Sequence, residues 1–247
     1  MSGDPRPRVV VVTGASGGIG QGIVRTFLGQ GASVVGIDAV EGEDFGERYR
    51  HRALDVTDAR LVAEAVGEAV ESSEAAHTLV NAVGVREIVP TRELSVAEFE
   101  HVLGVNTTSL FVASQAFCEA VIARSATAAN IVNIASVSGF LAEPSRTAYT
   151  TSKHAVIGLT KQFALEYAKH GIRANAVAPG VIRTPLTEAY FHDEEQLARV
   201  LRGQLLDRVG APEDVGRAVA FLADERSAFI TGTILVVDGG WTVGKDL

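Results

Sequence analysis

Tyr149 and Lys153 close the run Tyr149-Thr150-Thr151-Ser152-Lys153, and on a helix that four-residue spacing puts a phenol and an ammonium on one face. A free tyrosine titrates near ~10, too high for easy proton exchange at neutral pH, and a neighbouring positive charge lowers that value by favouring phenolate. The pair is a candidate acid/base unit. A second cluster, Thr13-Gly14-Ala15-Ser16-Gly17-Gly18-Ile19-Gly20, suits an anion such as a pyrophosphate, because glycines let the backbone approach a ligand and the amides at a helix start carry partial positive charge. Its glycine spacing departs from G-x-G-x-x-G, so its surroundings must carry the reading. Asp38 lies 18 positions after Gly20, close to the roughly 20-residue offset at which a carboxylate meets an adenosine ribose 2′-hydroxyl. A carboxylate there repels a 2′-phosphate, and Ser16, Gly17 and Ala39 supply no cation to offset it. The expected cofactor is NAD.

Such groups need rigid elements to hold them. Val9 to Val12 form a continuous apolar run within Arg8 to Thr13, as in a strand covered on both faces, and Ser33 to Asp38 repeats the pattern. Between them Ile19, Ile23, Val24, Phe27 and Leu28 recur at helical spacing before Gly29 and Gly31. The alternation continues with a strand near His51 to Asp55, a helix from Asp58, a strand at Thr78 to Asn81 and two helices within Ser95 to Arg124. A strand at Asn130 to Ala135, a long helix from about Tyr149 to His170 and a strand at Arg173 to Val177 follow. Pro212 opens a late helix, and Ile234 to Val237 completes the sheet. The fold class expected is α/β, a single-domain doubly wound parallel sheet of Rossmann type with helices on both faces, spanning residues 8–247 behind a short polar arm at 1–7. Ligands of such sheets gather beyond the carboxyl ends of the strands.

Composition removes other classes of function. The net charge of −8 and a sequence pI near 5.3 give no general attraction to nucleic acid. No apolar run approaches the roughly 20 residues that a bilayer-spanning helix needs, and the start lacks a secretory apolar centre, so a cytoplasmic protein is expected. Cys118 is the single cysteine, and its helical setting reads as buried packing rather than as a nucleophile.

Taken in order, the glycine turn, Asn81-Ala82-Val83-Gly84, Asn106, Ser136, Tyr149, Lys153, Pro179-Gly180 and the terminal Val237-Asp238-Gly239-Gly240 make the chain resemble the short-chain dehydrogenase/reductase family from about Arg8 to its end. By that resemblance Tyr149 takes the substrate's hydroxyl proton as hydride leaves for NAD, and Ser136 hydrogen-bonds the same oxygen. Lys153 binds the nicotinamide ribose and keeps Tyr149 acidic, and Asn106 positions a water that links the lysine to solvent. The likeness also assigns Asp55 and Val56 to the adenine, Asn81 and Gly84 to the stretch beside the cofactor ribose, and Ile182 and Thr184 to the carboxamide. Val83 stands where many members have a second alanine, and the glycine turn lacks the basic residue of NADP-preferring relatives. No zinc cluster is apparent, consistent with a family in which tyrosine polarises the carbonyl.

The likeness places substrate specificity in Val137 to Arg146 and in Val181 to Arg208, the latter a candidate helical lid. Ser138 lies in the first of these and Leu186 in the second. Phe140 and Leu141 suggest an apolar wall, while Arg86, Glu143 and Arg146 could bring charge to the pocket mouth; an arginine can clamp a carboxylate, although loop arginines are more often solvated. Alcohols, polyols, sugars, hydroxy acids and cyclic diols all remain open. A 3-oxoacyl carrier-protein reductase is the alternative within the same likeness, opposed by Asp38 and by the modest basic surface at Lys169 and His170. A binding protein that has lost its chemistry is a second. Relatives assemble as tetramers through the two long helices, here Thr107 to Arg124 and Thr150 to His170, where Phe111, Val112, Phe117, Phe163 and Leu165 are compatible with an interface, so a homotetramer is expected.

Overall fold

The valine run does set the middle of the sheet. In the computed structural model, which describes residues 8–72, 77–125 and 128–244, every residue of β1 (Val9–Thr13) is buried. Side chains alternate across a strand, so Val11 enters one core with Leu79, Ile131 and Phe117, while Val10 and Val12 enter the other with Ile23, Phe27 and Val215. The remaining strands are β2 (Ser33–Asp38), β3 (Tyr49–Ala53), β4 (His77–Asn81), β5 (Ala129–Ile134), β6 (Ile172–Pro179) and β7 (Ile234–Val237). The helices are α1 (Gly18–Gly29), α2 (Ala59–Glu71), α3 (Val96–Leu103), α4 (Ser109–Ala123), α5 (Thr147–Tyr167), α6 (Glu194–Arg202) and α7 (Pro212–Ala223).

All strands run parallel in the order β3-β2-β1-β4-β5-β6-β7, the doubly wound, Rossmann-type sheet expected. The chain winds outward from β1 to β3 and then returns to β4 beside β1. That reversal opens a crevice at the carboxyl ends of β1 and β4.

Three details differ from the sequence reading. The third strand ends at Ala53, two residues earlier than expected, because Asp55 turns the chain instead: its Oδ1 accepts from the Thr57 amide and hydroxyl, and Asp58 then caps α2 through the Leu61 amide. The helix pair after Ser95 is joined without a loop by a π-helical turn, Gly104–Thr108, which carries Asn106. The long helix starts at Thr147, so Tyr149 sits in its first turn, and it ends in a 3-10 turn over Ala168–His170 closed by Gly171 at φ +72°. The expected arm at residues 1–7 lies outside the described residues.

Candidate active site

One cavity of about 1080 Å3 opens at the carboxyl ends of the central strands. That volume exceeds the roughly 300–1,000 Å3 of pockets for a single drug-sized ligand, which leaves space for two molecules side by side. Its one end is the glycine turn. Gly14 sits at φ +71°, and a Cβ there would come 2.6 Å from the Val83 nitrogen; a Cβ at Gly20 would come 1.9 Å from the Gly14 carbonyl oxygen. Only glycine permits the turn to close this tightly between the ends of β1 and β4. Helix α1 then begins with no side-chain cap and no acidic residue in its first turn, so its leading amides face the cavity as donors for an anion.

Asp38, at the end of β2, lines the same end. The Ser16 and Val40 amides donate to its two carboxylate oxygens, each at 3.1 Å, and the Ser16 hydroxyl donates to the Val40 carbonyl at 2.7 Å. These bonds fix the carboxylate and leave it acceptor capacity for the hydroxyls of a ribose. The uncapped amides, the turn that admits no side chain and the oriented carboxylate fit a dinucleotide.

Ser136, Tyr149 and Lys153 line the other half of the cavity. Ser136 follows β5 with its Oγ accepting from the Ser138 amide at 3.1 Å, so its own O–H remains to donate, and it hydrogen-bonds the Tyr149 phenol. Lys153 Nζ donates to the Ile134 carbonyl at 2.8 Å and lies 5.7 Å from the centre of the Tyr149 ring. Burial lowers the Lys153 ammonium to about 8. The phenol does not follow the sequence expectation: burial raises it, and the opposing influences come from the Ser136 hydroxyl, Arg86 and Arg146 rather than from the lysine. Glu87 accepts from the Ala148 amide at 2.7 Å and from the Tyr149 amide at 3.1 Å. A carboxylate from another segment thereby caps α5 and sets the turn that bears Tyr149.

Most of the expected residues meet in this cavity. Ser16, Gly17, Gly18, Ile19, Gly20, Asp38 and Gly84 line it, as do Pro179, Gly180, Ile182, Thr184 and, on the substrate side, Arg86, Ser138, Arg146 and Leu186. Others do not. Asn81 is buried with its amide donating to Ser114 and Asn133, where it ties β4 to β5 and α4. Asn106 accepts from the Val85 amide at 2.8 Å and donates to the Val85 carbonyl and the Ser152 hydroxyl, each at 2.9 Å. It clamps the stretch after Gly84, a position where a Cβ would stand 3.5 Å from Lys153 Nζ and 3.7 Å from Asn106 Oδ1. Asp55 stands outside this cavity, with its Oδ1 accepting from Thr57, and the Val56 side chain joins the hydrophobic core. Phe140 and Leu141 are exposed and form no apolar wall, because the 3-10 turn Val137–Gly139 packs its glycine on α5 and directs the chain outward.

The sequence reading missed Tyr190, Trp241 and Glu87. Tyr190 and Trp241 line the cavity, and a Cβ at Gly203 would overlap the Trp241 ring at 1.8 Å. The one tryptophan of the chain, directly after Val237-Asp238-Gly239-Gly240, was a usable signal; nothing in local spacing pointed to Tyr190 or Glu87. The segment expected to act as a lid contains a 3-10 turn, Glu188–Phe191, which supplies Tyr190 to the cavity, and α6, which Asp193 caps through the Glu195 amide and which supplies Val200.

Residues 14–242 match the family described as Enoyl-(Acyl carrier protein) reductase. The chain is 37% identical over 249 residues to the 2-(R)-hydroxypropyl-CoM dehydrogenase of Xanthobacter autotrophicus, covering 95% of this chain and 98% of that one. It is 35% identical over 242 residues to the 2-dehydro-3-deoxy-D-gluconate 5-dehydrogenase of Bacillus subtilis, covering 95% and 94%. Among solved structures, a 4-hydroxyisoleucine dehydrogenase complexed with NADH superposes with a TM-score of 0.90 at 36% identity, over 96% of this chain and all of that one.

Proposed function

The chain belongs to the short-chain dehydrogenase/reductase family, and from that premise we propose that it is an NAD-dependent dehydrogenase or carbonyl reductase of a small hydroxylated substrate, with Tyr149 as its acid/base. One observation carries the reading: Ser136, Tyr149 and Lys153 share a wall of the cavity whose far end is an uncapped helix start beside Asp38. When bound, the dinucleotide supplies the hydride acceptor and a positive ring next to the phenol, so that an alcohol leaves as a carbonyl compound.

The chain's own residues do the rest. The amides of the glycine turn and of α1 hold the pyrophosphate, and Asp38 accepts from the adenosine ribose hydroxyls. Ser136 donates to the substrate oxygen and turns it toward Tyr149, which takes the hydroxyl proton during oxidation and returns it during reduction. Lys153 binds the second ribose and passes the proton onward; with its ammonium near 8 it exchanges protons with solvent at mildly alkaline pH. Asn106 acts as a positioning residue that fixes the Val85 backbone beside the lysine. A homotetramer in the cytoplasm is part of the same proposal.

A carrier-protein reductase gains little from the geometry, since Asp38, Glu41, Glu43, Asp193 and Glu195 give much of the cavity rim an acidic character that an acidic carrier would meet with repulsion. A binding protein without chemistry has no use for a serine, a phenol and an ammonium along one wall of its cavity. Two variants test the proposal with NAD and NADP and a panel of alcohols, polyols and hydroxy acids. Tyr149→Phe is expected to bind NADH as the parent does while turnover falls by about 10²- to 10⁴-fold. Asp38→Ala is expected to raise the NADP-to-NAD ratio of kcat/KM. Turnover surviving in the first variant removes the acid/base assignment, and a parent that already favours NADP removes the role of Asp38.

A further inference from the structure

Two arginines flank the reaction centre, and neither is solvated as loop arginines commonly are. Arg146 is 6% exposed and Arg86 is half-buried, and both line the cavity. Arg146 donates through Nη2 to the Tyr190 hydroxyl, and its Nε lies 3.5 Å from Glu143 Oε2; its Nη1 is buried with no hydrogen-bond partner among the described residues. Arg86 donates through Nη2 to the Leu186 carbonyl at 2.8 Å, and its guanidinium stands 5.2 Å from the centre of the Tyr190 ring; its buried Nε likewise has no partner among the described residues. The two guanidiniums are close enough to depress Arg86 by mutual repulsion in addition to burial, and both act on the Tyr149 phenol.

Burying a guanidinium with an open N–H costs free energy unless an anion completes it. Glu143 is the carboxylate that offsets this pair. Of the other acidic residues that line the cavity, Asp38 and Glu43 are bonded to the Ser16 and Val40 amides and to Arg25, and Asp193 caps α6 through the Glu195 amide. Beside Tyr149 two guanidiniums face the single carboxylate of Glu143, and each has an N–H group without a partner among the described residues.

We propose that the substrate is a small hydroxy or oxo acid whose carboxylate is held between Arg86 and Arg146, with its carbinol or carbonyl carbon beside Tyr149. A planar carboxylate matches the donor fork of a guanidinium, and both arginines line the cavity with an N–H group that has no partner among the described residues. Arg86, Arg146 and Tyr149 line the same cavity, which places the carboxylate and the reacting carbon within one small substrate. Tyr190 serves as a positioning residue, fixing Arg146 through its hydroxyl and Arg86 through its ring. Oxidation then takes a hydride from the carbinol carbon to NAD and the hydroxyl proton to Tyr149, and yields the oxo acid with its carboxylate unchanged. This inference rests on the dehydrogenase reading above and names the substrate class for it.

The test pairs lactate, 3-hydroxybutyrate and malate with their methyl esters, which keep the carbinol and remove the charge. Turnover with NAD is measured for the parent, Arg146→Gln and Arg86→Gln, and calorimetry measures the binding of each acid to the NADH complex. NADH fluorescence and a melting curve show whether each variant folds and loads its cofactor. In the parent, at least one acid is expected to exceed its ester in kcat/KM by about 30-fold, the factor for a buried charge pair of about 2 kcal/mol. Each arginine variant should collapse that ratio toward one and weaken the acid in calorimetry, while NADH still binds. Arg146→Lys, which keeps the charge but not the fork, should recover part of the ratio. If an ester is oxidised as well as its acid, if no acid binds the NADH complex, or if the ratio survives both glutamine variants, the anion site is overturned and the dehydrogenase reading stands. If the parent does not bind NADH, it is the dehydrogenase reading that fails.

Discussion

At the scale of single residues, Lys153 is where burial and chemistry meet. Its ammonium is buried, donates to the Ile134 carbonyl and is held near 8, against 10.5 for an unperturbed lysine. The folded chain therefore releases this proton at a lower pH than the unfolded chain does. Between about pH 8 and 10.5 the unfolded state carries more protons at this group, so its contribution to stability rises as pH rises and is lost as pH falls through 8. At one pH unit for each 1.36 kcal/mol, the parent should gain about 1–2 kcal/mol relative to Lys153→Met when urea unfolding is compared at pH 7 and pH 9.5. Parallel curves for the two proteins would show that the ammonium is not desolvated as the structure places it. The four-residue spacing of Tyr149 and Lys153 was legible because a helix has 3.6 residues per turn and brings such positions together. The environment of the phenol was not legible: burial raises its titration, and the cations that oppose this are Arg86 and Arg146, far from it in sequence or on a loop. No local pattern says that Arg146 turns inward while Phe140 stays in solvent.

At the scale of elements, the first helix holds the glycine turn in place and is itself held by α7. A Cβ at Gly22 would come 2.5 Å from the Pro212 Cβ, and one at Gly216 would come 2.3 Å from the Thr26 Oγ1. The two helices approach backbone to backbone at these points. Gly22→Val is expected to force them apart and to cost about 1–3 kcal/mol, seen as a lower Tm, and to weaken NADH binding because the leading amides of α1 move with the helix. Gly67→Ala is the control: it lies in α2 with open space at its Cβ, so it should leave the Tm unchanged or raise it slightly. An unaltered Tm in the first variant would contradict the close crossing. The alternation of strand and helix could be read along the chain because apolar runs, helical periodicity and turn residues are local signals. The crossing of α1 and α7 could not, since Gly22 and Gly216 are far apart in sequence. The same holds for Glu87, which caps α5 across 61 positions through the Ala148 amide, and for the π-helical turn that presents Asn106.

At the scale of the whole molecule, the order of strands fixes where the chemistry sits, and what the surface leaves uncovered bears on assembly. The reversal between β1 and β4 gathers the glycine turn, Asp38, Ser136 and the end of β6 around one crevice, which the β-α alternation had already implied. Of the apolar residues considered for an interface, Phe117 and Phe163 are buried within the subunit, whereas Phe111 is 40% and Leu165 76% exposed. Phe111 meets Phe163 at 6.3 Å between ring centres, so α4 and α5 lie together and each presents a large apolar side chain outward. A pair of long neighbouring helices with such residues can bury them against the same pair in a second copy, an isologous contact that closes on itself. Light scattering on the parent at micromolar concentration is expected to give four times the 26.0 kDa of one chain. Leu165→Glu combined with Phe111→Glu should reduce that mass to a dimer or a monomer, because a carboxylate buried without a partner is costly. Neither position touches the cavity lining, so NADH should still bind to the smaller species. A parent that runs as a monomer, or a doubly substituted chain that keeps the full mass, would place the contact elsewhere or remove it.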